Sequence, residues 1–385
     1  MSDRIYFDNA ATSFPKPDCV LEQMSYYMTG VGCNVNRGTY AQAYCAGDIL
    51  FDTRERICKL FNGSDCRNVV FTSNITESLN VVIKGLLKSG DHVLVSSMEH
   101  NAVMRPLVQL KSHGITFDRI PCNNLGELDT ASVSSMVRPD TRAVIMTHAS
   151  NVCGTLLPIE WAGHFCREHN LFFIVDSAQT AGTFPIDMKT MNTDVLCFTG
   201  HKGLLGPQGT GGFILNERMV SLIEPLITGG TGSISHTEIT PDFMPDRFEA
   251  GTPNLPGIYG LNAALRYIDE TGIDNILQKE LGLTEYFLHE LKKNSRIKII
   301  GKDDITGRAP VVSIQIPGMD IANAAYRLDS EYNIQTRVGL HCAPSAHKTL
   351  GTYPEGTIRF SFGHTNTKEE AAHCLYALEE ICNGI

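Results

Sequence analysis

The chain has 385 residues, of which 42% are hydrophobic and 19% are charged, an ordinary composition for a globular protein with a large core. Its formal net charge of -10 argues against a protein that neutralises nucleic-acid phosphates or lies on an anionic lipid surface. No apolar stretch approaches the length of a membrane span, and the first residues lack the apolar segment of a secretory signal. We therefore expect a cytoplasmic protein without nucleic-acid or membrane partners. The twelve cysteines are scattered singly, so we expect most of them to be buried thiols in apolar surroundings, and we expect no metal site.

Short apolar runs alternate with amphipathic stretches up to about residue 250. This pattern is typical of an α/β protein with a mostly parallel sheet whose strands are connected through helices. Helices are predicted within 77–91 and 158–170, the second with Pro158 in its first turn. The predicted strands are 68–72, 92–96, 143–148, 171–176 and 194–200.

The pattern changes near residue 250, where a Pro/Gly-rich segment precedes a helix. We predict a large domain over 16–255 and a smaller α+β domain over 1–15 plus 256–385. The first residues are expected to return to the small domain, because 6–12 is a short extended piece without an early partner. The small domain has predicted strands at 311–318 and 356–363 and a closing amphipathic helix at 367–384.

Two ionisable residues follow predicted strands, at the end of the sheet where open parallel α/β folds bind ligands. Asp176 ends the apolar run 172–175, and a carboxylate there is costly unless a cation lies opposite. A protonated pyridine nitrogen is one such cation, and capping of a following helix is an equal alternative. Lys202 follows the run 195–198, where burial lowers a lysine pKa and allows imine formation with an aldehyde. A surface lysine is the commoner outcome at such a position.

Four polar residues follow other strand ends. Thr76 lies at a strand-to-helix junction, where a hydroxyl and free N–H groups can hold a phosphate or simply begin a helix. His100 can stack on a flat ring or transfer protons, although an isolated histidine is more often structural. Asn151 and Gln179 offer amide donors to a phenolic oxygen.

A second cluster of candidate residues lies near the end of the chain. Cys342 follows Arg337 and His341 in a predicted exposed loop, where cationic neighbours favour a thiolate. Arg359 lies within a predicted strand and can bind a carboxylate through two hydrogen bonds. Cys342 gains weight only from the first cluster, because it is otherwise one of twelve thiols.

Nine segments, in this order, resemble the class V, fold-type I pyridoxal-phosphate (PLP) enzymes, and within them the cysteine desulfurase and selenocysteine lyase branch. The segments are DNAAT (8–12), TESLN (76–80), EHNA (99–102), SNVCGT (150–155), DSAQ (176–179), TGHK (199–202), EAGTPN (249–254), RVGLHCA (337–343) and the Arg359 segment through 366–367. The context of Cys342 and its short spacing to Arg359 resemble the second group of desulfurases. The resemblance implies a large mostly parallel-sheet domain and a smaller α+β domain that carries Cys342 and Arg359.

The resemblance also implies roles around the cofactor. Lys202 would hold PLP as a Schiff base, Asp176 would pair with the pyridine nitrogen, and Gln179 would donate to the ring oxygen. His100 would stack on the ring and transfer protons. Asn151 is included among the residues expected to bind cofactor and substrate.

The phosphate and substrate sites follow from the same resemblance. The implied phosphate contacts are Thr76, Thr199 and His201, together with Thr252, which the family contributes to the neighbouring subunit. A homodimer is therefore implied. Arg359 would bind the substrate carboxylate, and Cys342 would accept sulfur. Thr199 and Ser177 stand where the family often has Ser and Gly, and the retained hydroxyl of Thr199 preserves the phosphate contact.

The implied activity is that of a cysteine desulfurase, which converts L-cysteine into L-alanine and transfers the sulfur to Cys342 as a persulfide. A selenocysteine lyase acting on L-selenocysteine, a class V aminotransferase and a non-catalytic scaffold are the alternatives. A partner protein or a small thiol is the expected sulfur acceptor. Asn36, where the second group commonly has His, and the unusual segment 344–356 leave substrate preference and acceptor undefined.

Overall fold

The computed structural model describes residues 4–35 and 38–384, so Asn36 lies outside the described residues. The strands in the described residues are β1 (Ile5–Tyr6), β2 (Val69–Thr72), β3 (His92–Ser96), β4 (Thr116–Ile120), β5 (Thr141–Thr147), β6 (Phe172–Asp176), β7 (Val195–Thr199), β8 (Gly211–Leu215), β9 (Lys298–Ile300), β10 (Val311–Gln315), β11 (Ile334–Gln335), β12 (Arg337–Gly339) and β13 (Thr357–Ser361). The α-helices there are α1 (Asp18–Tyr26), α2 (Ala41–Leu60), α3 (Ile75–Leu86), α4 (Asn101–Leu110), α5 (Val133–Met136), α6 (Ile159–Glu168), α7 (Glu217–Val220), α8 (Leu255–Thr271), α9 (Ile273–Leu291), α10 (Ile321–Tyr332), α11 (Pro344–Thr349) and α12 (Lys368–Asn383). In these stretches of chain no helix combines the length and apolarity that crossing a bilayer requires.

A seven-stranded sheet forms the larger part of the molecule, in the order β2-β8-β7-β6-β5-β3-β4. Strands β3 to β7 run parallel, and β8 is antiparallel to both β7 and β2. The predicted mostly parallel α/β fold is therefore confirmed, and the predicted strands agree with the observed ones to within two residues. Helix α6 begins one residue later than expected, because Pro158 has a non-helical ψ of 71° and precedes the first helical residue.

Both faces of this sheet are buried. In β7, Leu196 and Phe198 pack into one apolar cluster, and Val195 and Cys197 pack into the other. Helices α3 and α4 cover the second cluster, whereas α1, α2, α6 and α8 contribute to the first. Burial on both faces explains why the strands appear as continuous apolar runs in the sequence.

A smaller antiparallel sheet, in the order β12-β13-β10-β9, forms the second layer of structure. Strand β13 alternates: Ile358 and Phe360 enter the apolar cluster that α9, α10 and α12 cover, while Thr357 and Arg359 lie on the opposite face. The N-terminal segment packs beside this sheet, since β1 pairs with β11 and Phe7 lies in the same apolar cluster.

Helix α8 packs with the large sheet, although the predicted division near residue 255 assigned it to the small domain. Leu261 and Ala264 are buried in the first apolar cluster of the large sheet, and the helix lies against α1 and α2. After α8, the next residue along the chain that is buried in the apolar cluster of the small sheet is Leu283 of α9. This packing favours a boundary after α8, and the division of the chain into two domains stays a prediction.

Candidate active site

The carboxyl ends of β6 and β7 bring Asp176 and Lys202 together. Asp176 is the last residue of β6, and Lys202 lies in the turn that follows Thr199 at the end of β7. Lys202 and Gln179 line a cavity of about 40 Å³, whose other wall includes His364 from the small unit. Asp176, Lys202 and Gln179 therefore meet at one edge of the sheet.

Asp176 is buried, with only 2% of its surface exposed. Its Oδ1 accepts a hydrogen bond of 2.9 Å from the Ala178 N–H, and the chain from 178 to 182 forms turns rather than a regular helix. Asp176 therefore caps a local turn, whereas the sequence-based alternative was the cap of a helix. Burial raises the pKa of Asp176, while the Ala178 N–H and the Lys202 ammonium oppose that rise.

Lys202 is half-buried and faces the cavity, so the alternative of an ordinary surface lysine does not apply. Burial lowers its pKa to about 8; Asp176 opposes this shift, and Arg359 and Arg337 add to it. A lysine with a pKa near 8 has an appreciable unprotonated fraction at neutral pH, and the unprotonated amine is the nucleophile.

His100 caps the N-terminus of α4. Its Nδ1 accepts a hydrogen bond of 3.0 Å from the Ala102 N–H, so in the neutral ring the proton lies on Nε2. Burial lowers the His100 pKa to about 4, and the positive charges of Lys202, Arg105 and Arg359 contribute. The ring is therefore neutral at physiological pH and offers an Nε2–H donor.

Two predicted phosphate contacts present buried polar atoms without a hydrogen-bond partner in the described residues. These atoms are the Oγ1 of Thr199 and the Nδ1 of His201. Burial lowers the pKa of His201 to about 4, and the charges of Lys202 and Lys16 act in the same direction. Gln179 differs, because its side-chain amide donates to the Ala10 carbonyl at 3.0 Å. Unpaired buried donors are costly, so the Thr199 hydroxyl suits a ligand with acceptor oxygens.

The turn that carries Lys202 is held by the N-terminal segment, which sequence reasoning missed. The His201 carbonyl accepts hydrogen bonds from the Lys16 ammonium at 2.7 Å, the Thr12 hydroxyl at 3.0 Å and the Ser13 N–H at 3.0 Å. Burial lowers the pKa of Lys16 to about 8. The Ser13 hydroxyl also donates to this carbonyl at 3.3 Å, so four donors fix the backbone directly before Lys202. No local pattern links residues so far apart in the chain.

Thr76 is exposed in the first turn of α3. The cap of this helix is Asn74, whose Oδ1 accepts from the Glu77 N–H at 3.0 Å, and the Glu77 carboxylate accepts in return from the Ser73 N–H at 2.7 Å. The helix start that the sequence suggested is thus built by Asn74 and Glu77. Thr76 takes no part in the capping pair.

Thr252 lies away from the Lys202 cavity. It is exposed and lines a separate cavity of about 370 Å³, whose walls also include Thr72, Ser73 and Glu77 beside the start of α3. Within one chain, the structure therefore does not bring Thr252 together with Lys202.

Arg359 is almost completely buried, with 2% of its surface exposed. Its Nη1 donates to the Asn151 carbonyl at 3.0 Å, and its Nη2 donates to the Asp8 carboxylate at 2.8 Å. Its Nε is buried without a partner in the described residues. On the Nε and Nη2 edge of the guanidinium, Nε still has its N–H free to donate, and this edge therefore suits a carboxylate in addition to that of Asp8. Burial lowers the Arg359 pKa, and Asp8 opposes that change.

Asp8 links two arginines, and sequence reasoning assigned it no role. Arg337 and Arg359 are directly opposite each other in the β12 and β13 pair, where like charges repel. Asp8 lies between them, 2.8 Å from Arg359 and 3.3 Å from Arg337. The three side chains carry a net positive charge, so this cluster favours an anionic group.

Cys342 is exposed in the turn between β12 and α11. Its carbonyl accepts a hydrogen bond of 2.8 Å from the Asn101 N–H, directly after His100. The side-chain amide of Asn151 donates to the carbonyl of His341 at 2.7 Å. Asn151 thus contacts both Arg359 and the turn that carries Cys342, and the structure unites the two predicted clusters.

Glu99 is a further buried group that sequence reasoning passed over. It is fully buried; its Oε1 accepts from the Ser96 hydroxyl at 2.5 Å and from the Thr147 N–H at 2.9 Å, whereas Oε2 has no partner in the described residues. Burial raises its pKa to about 8, and Asp176 adds to the rise. A carboxylate directly after a buried strand and directly before His100 was the available signal.

A lysine and an aspartate at neighbouring strand ends of a mostly parallel seven-stranded sheet, with a small antiparallel unit closing over them, define the fold-type I class, whose members use PLP. The sequence model of the class-V aminotransferase family matches residues 5–373. The chain belongs to the class-V aminotransferase family.

Relatives and solved structures agree with this family. A probable cysteine desulfurase of Pyrococcus abyssi is 34% identical over 99% of this chain and 95% of its own length. One from Methanothermobacter thermautotrophicus is 33% identical over the same shares. An apo structure of a cysteine desulfurase from Thermococcus onnurineus NA1 superposes with a TM-score of 0.93 at 32% identity, covering 99% of this chain and 95% of that one. A cysteine desulfurase from Escherichia coli gives a TM-score of 0.89 at 27% identity over 99% and 95%.

Proposed function

We propose that the protein is a PLP-dependent cysteine desulfurase that converts L-cysteine into L-alanine and takes the sulfur onto Cys342 as a persulfide. One observation carries this proposal: Asn151 holds both the buried Arg359 and the turn that bears the exposed Cys342. A guanidinium suited to a carboxylate and an exposed thiol are thereby held by one residue, and the charge of Arg359 acts on Lys202. The relatives named cysteine desulfurase, similar over nearly the whole chain, support the same activity.

The residues around Lys202 fit PLP. Lys202 has a lowered pKa suited to an imine, and the buried Asp176 carboxylate suits a protonated pyridine nitrogen. The Thr199 hydroxyl and the His201 ring have unpaired buried atoms suited to a phosphate, with Thr76 at the helix start as a further donor. When bound, PLP supplies an electron sink for charge that develops on the substrate carbons.

The remaining cofactor contacts are assigned to two neighbouring side chains. Gln179 keeps one N–H after its bond to the Ala10 carbonyl, and this N–H suits the ring oxygen. His100, neutral and with its proton on Nε2, suits ring stacking and proton transfer.

The substrate residues act on defined groups of L-cysteine. Arg359 binds the carboxylate through its Nε and Nη2 edge, and Asn151 orients that guanidinium from the other side. With PLP bound, the Lys202 Nζ would be the group that accepts the proton of the substrate Cα, because burial lowers its pKa to about 8. His100 transfers protons in the later steps.

Cys342 performs the sulfur transfer. Its thiolate attacks the sulfur of the substrate, so that a new S–S bond forms while the substrate Cβ–S bond breaks. The electron pair of the broken bond stays with the carbon skeleton, which then takes up a proton and leaves as L-alanine. Cys342 retains the sulfur as a persulfide, and a partner protein or a small thiol removes it for the next turnover.

The proposal includes a homodimer. Within one chain Thr252 lines a different cavity from Lys202, and the family resemblance assigns its phosphate contact to the neighbouring subunit. The start of α3, with Thr76, lies at that same cavity, because Ser73 and Glu77 line it. A partner's Thr252 entering there would complete the phosphate site.

The test is the release of alanine, sulfide and selenide from L-cysteine and L-selenocysteine by the PLP-loaded protein with a thiol reductant. Cys342→Ala is expected to lose alanine formation from L-cysteine. Cys45→Ala is the matched control, because Cys45 is also an exposed free thiol and lies in α2. Strong preference for selenocysteine would favour a selenocysteine lyase, and alanine formation only with an added ketoacid would favour an aminotransferase.

A further inference from the structure

The turn that carries Cys342 has an unusual backbone. His341 and Cys342 are consecutive non-glycine residues with positive φ, 47° and 58°. Side chains rarely adopt this left-handed conformation, which persists only where surrounding contacts hold it. The backbone on either side of the segment that contains this turn also comes close together at Gly339 and Gly356. A Cβ at Gly356 would lie 2.4 Å from the Gly339 carbonyl oxygen. Something beyond local preference therefore maintains this geometry.

A buried chain of hydrogen bonds leads from the turn into the small sheet. The Nε2 of His341 is 2.9 Å from the Thr357 hydroxyl, which donates to the Ser313 hydroxyl at 3.1 Å. Ser313 in turn donates to the Val152 carbonyl at 2.6 Å. The single hydroxyl hydrogen of Thr357 is donated to Ser313. The Thr357 oxygen can therefore only accept a hydrogen bond from His341, whose Nε2–H is the donor. The His341 ring is therefore neutral with its proton on Nε2.

This chain of hydrogen bonds ends at Val152, next to a residue that makes a second contact with the same turn. Val152 directly follows Asn151, whose side-chain amide donates to the His341 carbonyl at 2.7 Å. The Asn151 carbonyl accepts from Arg359 at 3.0 Å. Both the side chain and the main chain of His341 are thus tied to one two-residue segment, and that segment also fixes Arg359.

We propose that His341 is a positioning residue, which holds the Cys342 turn in its left-handed geometry through Thr357, Ser313 and the 151–152 segment. The catalytic consequence rests on the proposed function. Arg359 sets where the substrate carboxylate lies, and His341 sets where the thiol lies, both relative to the same segment. The distance between the Cys342 thiol and the substrate sulfur is thereby fixed, and such alignment governs the rate of transfer.

Loss of the Cys342 turn's anchor and loss of carboxylate binding by Arg359 are expected to affect different kinetic constants. Removing the Thr357 hydroxyl leaves the buried Nε2–H of His341 without an acceptor, so the turn loses one of its two anchors. Arg359 keeps its bonds to Asn151 and Asp8. Substrate binding is therefore preserved while sulfur transfer slows.

The chain offers a matched control in the same loop. His347 and Thr352 form a second buried pair, with Nδ1 and Oγ1 2.7 Å apart and both side chains fully buried. Thr352→Val removes a hydroxyl from a buried His–Thr pair as Thr357→Val does. It leaves the hydrogen bonds from His341 to Val152 in place, while the His347 ring that it affects lies 5.6 Å from the His341 ring. Thr357→Ser keeps the hydroxyl, and Ser313→Ala breaks the next bond along.

The first measurement is kcat and KM for L-cysteine in the PLP-loaded variants. Thr357→Val is expected to lower kcat about 10-fold or more, with KM within about twofold of wild type. Thr357→Ser and Thr352→Val are expected to stay near wild type, and Ser313→Ala to fall between. Equal losses in Thr352→Val and Thr357→Val, or a loss confined to KM, would overturn the positioning role.

The second measurement is independent of activity. In the cofactor-free protein, hydrogen–deuterium exchange at the amides of Ala343 and Asn101, which donate to Leu340 and Cys342 of the turn, reports its rigidity. Thr357→Val is expected to speed exchange at both about 10-fold, and Thr352→Val to leave it unchanged. Unchanged exchange in Thr357→Val would refute the proposal. A wild type that forms no alanine would instead remove the desulfurase function and leave this comparison valid.

Discussion

The backbone carbonyl of Asn151 accepts a hydrogen bond of 3.0 Å from the guanidinium of Arg359, although the two residues are 208 positions apart. This bond joins a loop of the large sheet to the polar face of the small sheet. Asn151 also donates to the carbonyl of His341, next to Cys342. The geometry between the two units is therefore set at the point where substrate and thiol are proposed to meet.

The lowered pKa of Lys202 predicts how the cofactor-free protein reacts with PLP. Imine formation at Lys202 is expected to rise with pH through about 8, rather than near the ordinary lysine value. Asp176→Asn removes the carboxylate that raises the Lys202 pKa, so its midpoint is expected at lower pH. Initial rates against pH, with borohydride reduction and peptide mapping, measure both.

Lys202→Arg is the control for that experiment and is expected to show no labelled peptide at residue 202. Lys16, whose pKa burial also lowers to about 8, is distinguished by the same mapping. A midpoint that does not fall in Asp176→Asn would contradict the proposed electrostatic coupling.

The buried carboxyl of Glu99 predicts a pH-dependent stability. Its folded pKa of about 8 lies above the ordinary value of 4.5, so between these values the native state holds a proton that the unfolded state releases. Stability therefore falls as pH rises across this window, by about 2–4 kcal/mol. Glu99→Gln keeps the acceptor for Thr147 and cannot ionise, so it is expected to remove this loss.

Urea denaturation at pH 5.5 and pH 8 tests the effect of Glu99→Gln. The variant is expected to be more stable than wild type at pH 8 and similar to it at pH 5.5. Glu280, buried in α9 with the same raised pKa of about 8, contributes its own share, so Glu280→Gln gives an internal comparison. An unchanged difference between the two pH values in Glu99→Gln would show that Glu99 is not the titrating group.

Asp8 is expected to stabilise the fold by separating Arg337 from Arg359. Asp8→Asn leaves two arginines opposite each other in β12 and β13, with Arg359 buried, and is expected to lower the free energy of unfolding by about 2–4 kcal/mol. Asp65→Asn, which removes the partner of the mostly exposed Arg67, is the control and is expected to cost less than about 1 kcal/mol. Equal losses in the two variants would contradict the bridging role.

The proposed sharing of Thr252 between subunits predicts complementation. Lys202→Ala and Thr252→Val homodimers are each expected to have little activity. Mixed dimers have one site that combines Lys202 of the Thr252→Val subunit with Thr252 of the Lys202→Ala subunit. Subunit exchange is expected to restore up to about half of the activity per mixed dimer.

The matched control carries both substitutions in one chain and is mixed with wild type. In that mixture only pure wild-type dimers have a site with both Lys202 and the partner's Thr252. The activity of the mixture is therefore expected to fall as subunits exchange. Light scattering on the same samples establishes the dimer. Absence of rescue in a confirmed mixed dimer would show that Thr252 does not serve the partner's site.

Several site residues could be predicted because their signal is local. Asp176 and Lys202 directly follow apolar runs, and parallel strands place such residues at one edge of a sheet. Arg359 was predicted only to lie within a strand, and the structure of β13 places it on the face opposite Ile358 and Phe360. Cys342 was singled out by its cationic neighbours in a predicted exposed loop, and its role as sulfur acceptor came from the resemblance to a family.

Other features depend on contacts between distant segments. The apolar face of helix α8 does not by itself show which core it joins, and only its packing on α1 and α2 places it beside the large sheet. The links from Asp8 to two arginines and from Lys16 to the His201 carbonyl join residues more than 180 positions apart.

The sequence by itself determined the mostly parallel sheet, the strand-end position of Asp176 and Lys202, and the family, because hydrophobic periodicity and short motifs are properties of neighbouring residues. Only the tertiary structure decided that Asn151 holds both Arg359 and the Cys342 turn, and that Thr252 and Lys202 of one chain line different cavities. Hydrogen bonds of this kind depend on where crossover connections place separate strands. No local residue pattern contains that information.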